Sequence, residues 1–323
     1  MAEYKGIHGT KIQNYTSDPA NPLTGEVWYN STSNSLKYFY VNPGSWATGG
    51  DLNTARRNMA GAGIQTSALS IGGGDPTVAT EKYNGTSWTE VNDLNTARSY
   101  LAGCGATNTA ALAFGGYVGP PGATAITESY NGTNWTEVND LGTARYRLTG
   151  AGIQTAALAF GGYIPPSSSA LTETWNGTNW TEVNDLNTAR KQLAGAGTNT
   201  AALAFGGTIS FPSLSALTES WNGTSWTEVN DLNTARSYLA GCGATNTASL
   251  AFGGIPPAVT AVTESWNGTN WTEVADLNIA RTELGGAGTN TSALAFGGYN
   301  APTLYAATEE WNAGPTTATI TTD

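Results

Sequence analysis

The chain has 323 residues and a formal net charge of -11, from 24 acidic and 13 basic residues; only 11% of it is charged, while Gly supplies 41 positions. The basic residues are spread along the chain and never gathered in a patch, which excludes charge-driven binding to nucleic acid or an anionic membrane. Eleven Trp and 39% hydrophobic residues exclude disorder, and no apolar run reaches membrane-spanning length.

Residues 1–44 begin polar and extended, with no apolar run in MAEYKGIHGTKIQNY and hence no secretory signal expected there. A loop signal follows from Asp18-Pro19 to Pro22. Glu26–Asn30 (EVWYN) and Leu36–Val41 (LKYFYV) are aromatic and β-branched runs joined by Ser-Thr-Ser-Asn, which predicts a β-hairpin. The segment GTKIQNYTSDPANPLTGEVWYNSTSNSLKYFYVNPGSW resembles the opening segments of tail-fibre and other virion proteins of bacteriophages. That resemblance implies a place in a phage particle as one of several copies, with residues 1–44 contacting other virion proteins and Trp28, Tyr29, Tyr38 and Tyr40 as attachment candidates.

From residue 45 to about 314 one unit recurs. Its closing Arg falls at Arg56, Arg98, Arg145, Arg190, Arg236 and Arg281, in steps of 42, 47, 45, 46 and 45 residues. Each unit reads as four short strands. In the second they are Ser99–Gly103, Thr109–Gly116, Ala125–Gly132 and Trp135–Asp140, with Asn131-Gly132 as a hairpin turn. Laid flat, six such sheets would leave long unpaired edges, and closing them radially removes these, so a six-bladed β-propeller is expected. The set Gly115-Gly116, Tyr130, Trp135 and Arg145, repeated in the other units, resembles the kelch repeat. The last unit lacks a Trp strand and a spare one stands at Ser45–Gly49 (SWATG), which predicts that the N-terminal strand closes the ring; Thr316–Thr322 is the competing choice, and residues 315–323 otherwise form a tail.

The glutamate opening each third strand stands 17 residues before an Arg: Glu81/Arg98, Glu128/Arg145, Glu173/Arg190, Glu219/Arg236 and Glu264/Arg281. A motif repeated in this way reads as a structural ion pair fixing blade register, not as catalysis. Asp93, Asp140, Asp185 and Asp231 in the NDLN turns read as caps of their own turns. Cys104 and Cys242 occupy equivalent places in opposite units and read as buried thiols with no disulfide. The only His is His8, so neither a His-based triad nor a His-ligated metal can be assembled. No enzyme activity, metal or cofactor is expected.

What varies is the connection from second to third strand, where the interval from the Gly pair to the Glu runs 8, 12, 11, 12, 10 and 11 residues. These loops share one face with the DLNTAR turns and carry Tyr117, Pro120, Tyr163, Pro165, Phe211, Pro212, Tyr299 and Tyr305, rigid residues suited to binding. The expected function is that of a non-enzymatic virion protein, a tail fibre or adhesin whose loop face meets a host receptor or glycan. The alternatives are a capsid or tail decoration protein making protein contacts only, and a cellular kelch adaptor or carbohydrate-active propeller.

Overall fold

A computed structural model describes residues 12–120, 122–256 and 258–320, and among them there are strands and turns but no α-helix. The chain divides into two units: Ser45–Asn312, and the residues up to Gly44 together with those from Ala313 on. His8 lies outside the described residues.

The larger unit is six antiparallel four-stranded sheets. In the second they are Ala102–Thr107, Ala110–Phe114, Thr127–Tyr130 and Trp135–Val138, in sequential order. The innermost strands of successive sheets pack side by side, and the sixth, Gly285–Gly288, packs against the first, Ala60–Ile64, so the sheets close into a six-bladed β-propeller. Small residues allow this crowding. A Cβ on Gly150 would lie 2.5 Å from Phe114 Cζ, because the second-strand Phe of one blade fills the space over the inner-strand Gly of the next. In blade 1 the Phe is replaced by Ile71, which stands 3.5 Å from the corresponding site on Gly103.

The inner strand starts three residues later than the sequence pattern predicts. Ser99 instead bridges Tyr117 at the base of the loop, and Tyr100 has a φ of 53°, a left-handed conformation that no strand contains. Every blade repeats this turn, at Asn58, Tyr100, Arg147, Gln192, Tyr238 and Glu283. Their main chains join around the axis: each N–H donates to the carbonyl of the preceding member, and Asn58 donates to Glu283 at 2.9 Å, completing a ring of six hydrogen bonds. Tertiary bonding thus holds six non-glycine residues in a region they rarely adopt.

Aromatic contacts tie the blades together. Trp180 of blade 3 packs tilted against Phe114 of blade 2, ring centres 4.8 Å apart, and its Nε1 donates to Thr127 Oγ1 at 3.0 Å. Trp226, Trp271 and Trp88 repeat the arrangement on Phe160, Phe205 and Phe296. Only where Ile71 replaces Phe does the hydrogen bond fail, leaving Trp135 Nε1 and Thr80 Oγ1 without partners.

The N-terminal strand completes the sixth blade. Residues 45–48, the end of the strand Ser35–Thr48, lie beside the start of Thr308–Thr319. Trp46 sits against Phe252 at 5.1 Å and Trp311 at 5.4 Å, and its Nε1 donates to Thr263 Oγ1 at 3.0 Å. The competing segment does not close the ring: Ala313 onward belongs to the smaller unit, where the Ile320 N–H donates to the Leu36 carbonyl at 2.8 Å. It is therefore part of a sheet and not a separate tail.

In the smaller unit Val27–Asn30 pairs with Ser35–Tyr38 as the expected hairpin, and Gln13–Tyr15 adds a parallel strand. Trp28 is fully buried, its Nε1 donating to Asp18 Oδ1 at 2.9 Å. It is thus the core of this unit and corrects the expectation of an attachment residue, because a ring with no exposed surface cannot dock elsewhere. Tyr29, Tyr38 and Tyr40 are half-buried, the last two with stacked rings at 5.3 Å.

Each blade carries a buried Arg-Glu pair, but the partners are not those 17 residues apart. Arg98 pairs with Glu128 at 2.9 Å, Arg145 with Glu173, and Arg190 with Glu219, Arg236 with Glu264 and Arg281 with Glu309 at 2.8 Å; Glu81 belongs to Arg56. The Arg leads into the blade whose third strand carries the Glu, so the pair lies within one blade. Asn95 also donates from its main chain and side chain to Glu128 Oε2, which leaves that carboxylate fully bonded although buried. The aspartates reach past their own turns: Asp140 Oδ1 accepts from the Thr127 N–H at 2.9 Å, and Asp93, Asp185 and Asp231 do the same for Thr80, Thr172 and Thr218. Each carboxylate thus accepts from the N–H that opens the third strand of its blade.

Candidate binding site

The connections into each blade and those from second to third strand share one face. On it, two residues follow each invariant Arg and precede an invariant Leu or Met: Arg57-Asn58, Ser99-Tyr100, Tyr146-Arg147, Lys191-Gln192, Ser237-Tyr238 and Thr282-Glu283. The second of each pair is a member of the axial hydrogen-bonded ring, so six different side chains surround the axis in a cavity of about 100 Å³ floored by Met59, Leu101, Leu148, Leu193, Leu239 and Leu284. The six-fold repetition of the backbone is therefore broken by side chains at its centre.

One sector of this mouth opens into a larger cleft. It has a volume of about 640 Å³ and lies between Arg147, Lys191, Gln192 and Tyr238 on the axial side and Phe211, Pro212, Leu214, Ile255 and Pro256 on the loops of blades 4 and 5. Phe211 is 89% exposed at the tip of the hairpin formed by Thr208–Ser210 and Ser213–Leu214. The ring stands at the rim of a concave cleft of the size that small-ligand sites have.

The basic groups here are arranged by aromatic rings. The Arg147 guanidinium lies 4.7 Å from the Tyr100 ring centre, 5.5 Å from Tyr146 and 5.6 Å from Tyr238, and Lys191 Nζ lies 4.0 Å from that of Tyr163. Tyr146 in turn touches Tyr117 at 5.4 Å and Tyr163 at 5.3 Å. Burial, and then the neighbouring Arg147, pulls the Lys191 ammonium below the ordinary lysine range. Burial pushes the Tyr238 hydroxyl up to about 12, against the pull of Arg147. Across the mouth Glu283 is raised by burial and restrained by Arg57, whose Nη1 is 3.3 Å from its Oε2.

Of the loop residues singled out in the sequence, Phe211 and Pro212 form the cleft wall, while Tyr117 and Tyr163 belong to the adjoining tyrosine cluster. Tyr299 lies under Arg57 at 4.5 Å, Tyr305 is half-buried, and Pro120 and Pro165 are exposed on separate loops. The eight do not form one site. Arg147, Lys191, Gln192 and Tyr238 escaped the sequence reading, although the two variable positions between invariant Arg and Leu marked them.

Cys104 and Cys242 are free and buried along the axis, and desolvation pushes the Cys104 thiol up to about 12. Among the described residues no group of three or more His, Cys, Asp or Glu is gathered to hold a metal. The fold and this face define a six-bladed β-propeller with an asymmetric ligand-sized cleft. No protein-family model matches the chain, and no curated protein matches it.

Proposed function

We propose that the chain is a non-enzymatic surface protein of a bacteriophage particle, a kelch-like propeller whose loop face binds a receptor or glycan on the host. The observation that carries the binding role is the cleft beside Phe211: it is where a rigid, repetitive scaffold presents a non-repetitive, partly apolar surface to solvent. The phage assignment is supported by the resemblance of residues 9–46 to the opening segments of tail-fibre and virion proteins, and the kelch assignment by the Gly-Gly, aromatic, Trp and Arg set within each blade. Residues 1–44 are then the part that meets other virion subunits, with Tyr29, Tyr38 and Tyr40 as contacts and without the buried Trp28.

The test is adsorption. Purified full-length protein labelled with a fluorophore should bind host cells and compete with phage attachment, and Phe211→Ala should reduce both. A particle reconstruction in which the loop face is buried against a neighbouring subunit would replace this reading with that of a decoration protein making only protein contacts.

A further inference from the structure

The propeller has ten basic residues. Six arginines are held by third-strand glutamates, and Arg57 by Glu283. Among the remaining three, Lys82 stands on the third strand of blade 1, whereas Arg147 and Lys191 line the same cleft and, among the described residues, neither forms a salt bridge; Glu283, which Arg147 influences through space, is itself paired with Arg57. Arg147 and Lys191 are both positioned by tyrosine rings. That difference has an electrostatic consequence: a carboxylate partner would cancel the charge, but a ring orients a cation while leaving its charge available to a third party. In a chain of net charge -11, this cleft is a local positive site on an acidic body.

The rest of the cleft restricts what that anion belongs to. Its volume of about 640 Å³ falls within the roughly 300–1,000 Å³ of small-ligand sites. The rings of Phe211 and Tyr238 and the flat faces of Pro212 and Pro256 offer surface for a C–H face, not for a polar one. A polyanion would meet overall repulsion from a chain of net charge -11, so the ligand carries its charge at isolated points. We propose that this cleft binds a saccharide bearing an isolated carboxylate, with Arg147 and Lys191 as the charge partners and Phe211, Pro212 and Tyr238 as the surface on which the sugar ring lies.

The proposal rests on the reading of the loop face as a glycan-binding surface, and the experiment separates the two. Full-length protein is titrated against sialylated and hexuronate oligosaccharides, against the methyl esters of the same compounds, and against host cells. The expected result is binding to a carboxylated saccharide, about ten-fold or more weaker for its ester, with Arg147→Gln and Lys191→Gln each weakening it by about ten-fold or more and Lys191→Arg retaining it. The thermal midpoint of Lys191→Gln should match that of the unaltered protein, which keeps the test valid should Arg147→Gln fold poorly. Equal affinity for acid and ester, unchanged in both Gln variants, overturns the carboxylate assignment and leaves the glycan reading standing. Adsorption to cells without binding to any saccharide overturns this inference alone, whereas failure to adsorb at all overturns the broader reading as well.

Discussion

Arg98 Nη2 donates to Glu128 Oε1 at 2.9 Å, thirty residues ahead of it, while Glu81, seventeen residues behind, is held by Arg56. The pair clamps the segment entering a blade to that blade's own third strand, and both groups are fully buried. Arg98→Ala leaves a buried carboxylate uncompensated and should cost about 3–5 kcal/mol. In a double-mutant cycle read by denaturant unfolding, Arg98→Ala and Glu128→Gln should be strongly coupled, and Arg98→Ala and Glu81→Gln additive to within about 0.5 kcal/mol. Coupling in the second cycle and not in the first would restore the seventeen-residue pairing.

Ring closure depends on Trp46, which is seated between Phe252 and Trp311. Trp46→Ala should destabilise the propeller by about 3–5 kcal/mol, through lost burial and the vacated space. Thermal unfolding checks this, and an unchanged midpoint would mean that the sixth blade holds without its outer strand.

The crowding near the axis gives a matched pair of tests. Gly150→Ala forces a methyl against Phe114 and should cost about 1–3 kcal/mol, with Phe114→Leu in the same chain recovering much of the loss. Gly103→Ala, facing Ile71 at 3.5 Å and the Ala60 methyl at 3.0 Å, should cost less. Equal losses measured by denaturant unfolding would count against the aromatic ring as the cause.

Phe211 is 89% exposed, so Phe211→Ala should leave stability within about 0.5 kcal/mol while weakening adsorption to host cells. A large fall in unfolding free energy would show that the ring packs in solution instead of awaiting a ligand.

Lys191 supplies a pH signature. Burial and Arg147 place its titration below the ordinary lysine value, and an anionic ligand needs the protonated ammonium. Affinity for a carboxylated saccharide should therefore be greatest below that lowered value and fall as pH rises through it. Lys191→Arg should remove this alkaline limb, because a guanidinium keeps its proton there. Titration calorimetry across the range distinguishes the outcomes, and a limb that survives the substitution would assign the titration elsewhere.

The fold was legible in the chain because each blade must solve the same packing problem with the same residues. Gly-Gly, the third-strand aromatic, Trp135 and Arg145 recur at spacings that only a repeating sheet explains, and the spare Trp46 revealed the closing strand. The partner of each Arg was less legible, since spacing along one repeat cannot distinguish the Glu behind from the Glu ahead once the chain folds back between strands. The cleft was half legible. Phe211 and Pro212 stood out by composition, but Arg147 and Lys191 are drawn to them by the turn at each left-handed residue, and that conformation has no marker when the residue is Asn, Tyr, Arg, Gln or Glu instead of Gly.

The six-membered circle of main-chain hydrogen bonds at the axis depends on peptide groups and not on what projects from them. Asn58, Tyr100, Arg147, Gln192, Tyr238 and Glu283 can consequently be exchanged for one another with the backbone preserved, so the propeller can acquire new chemical preferences at its hub by point changes while its petals stay uniform. A library randomised at these sites alone would sample ligands without resampling the architecture.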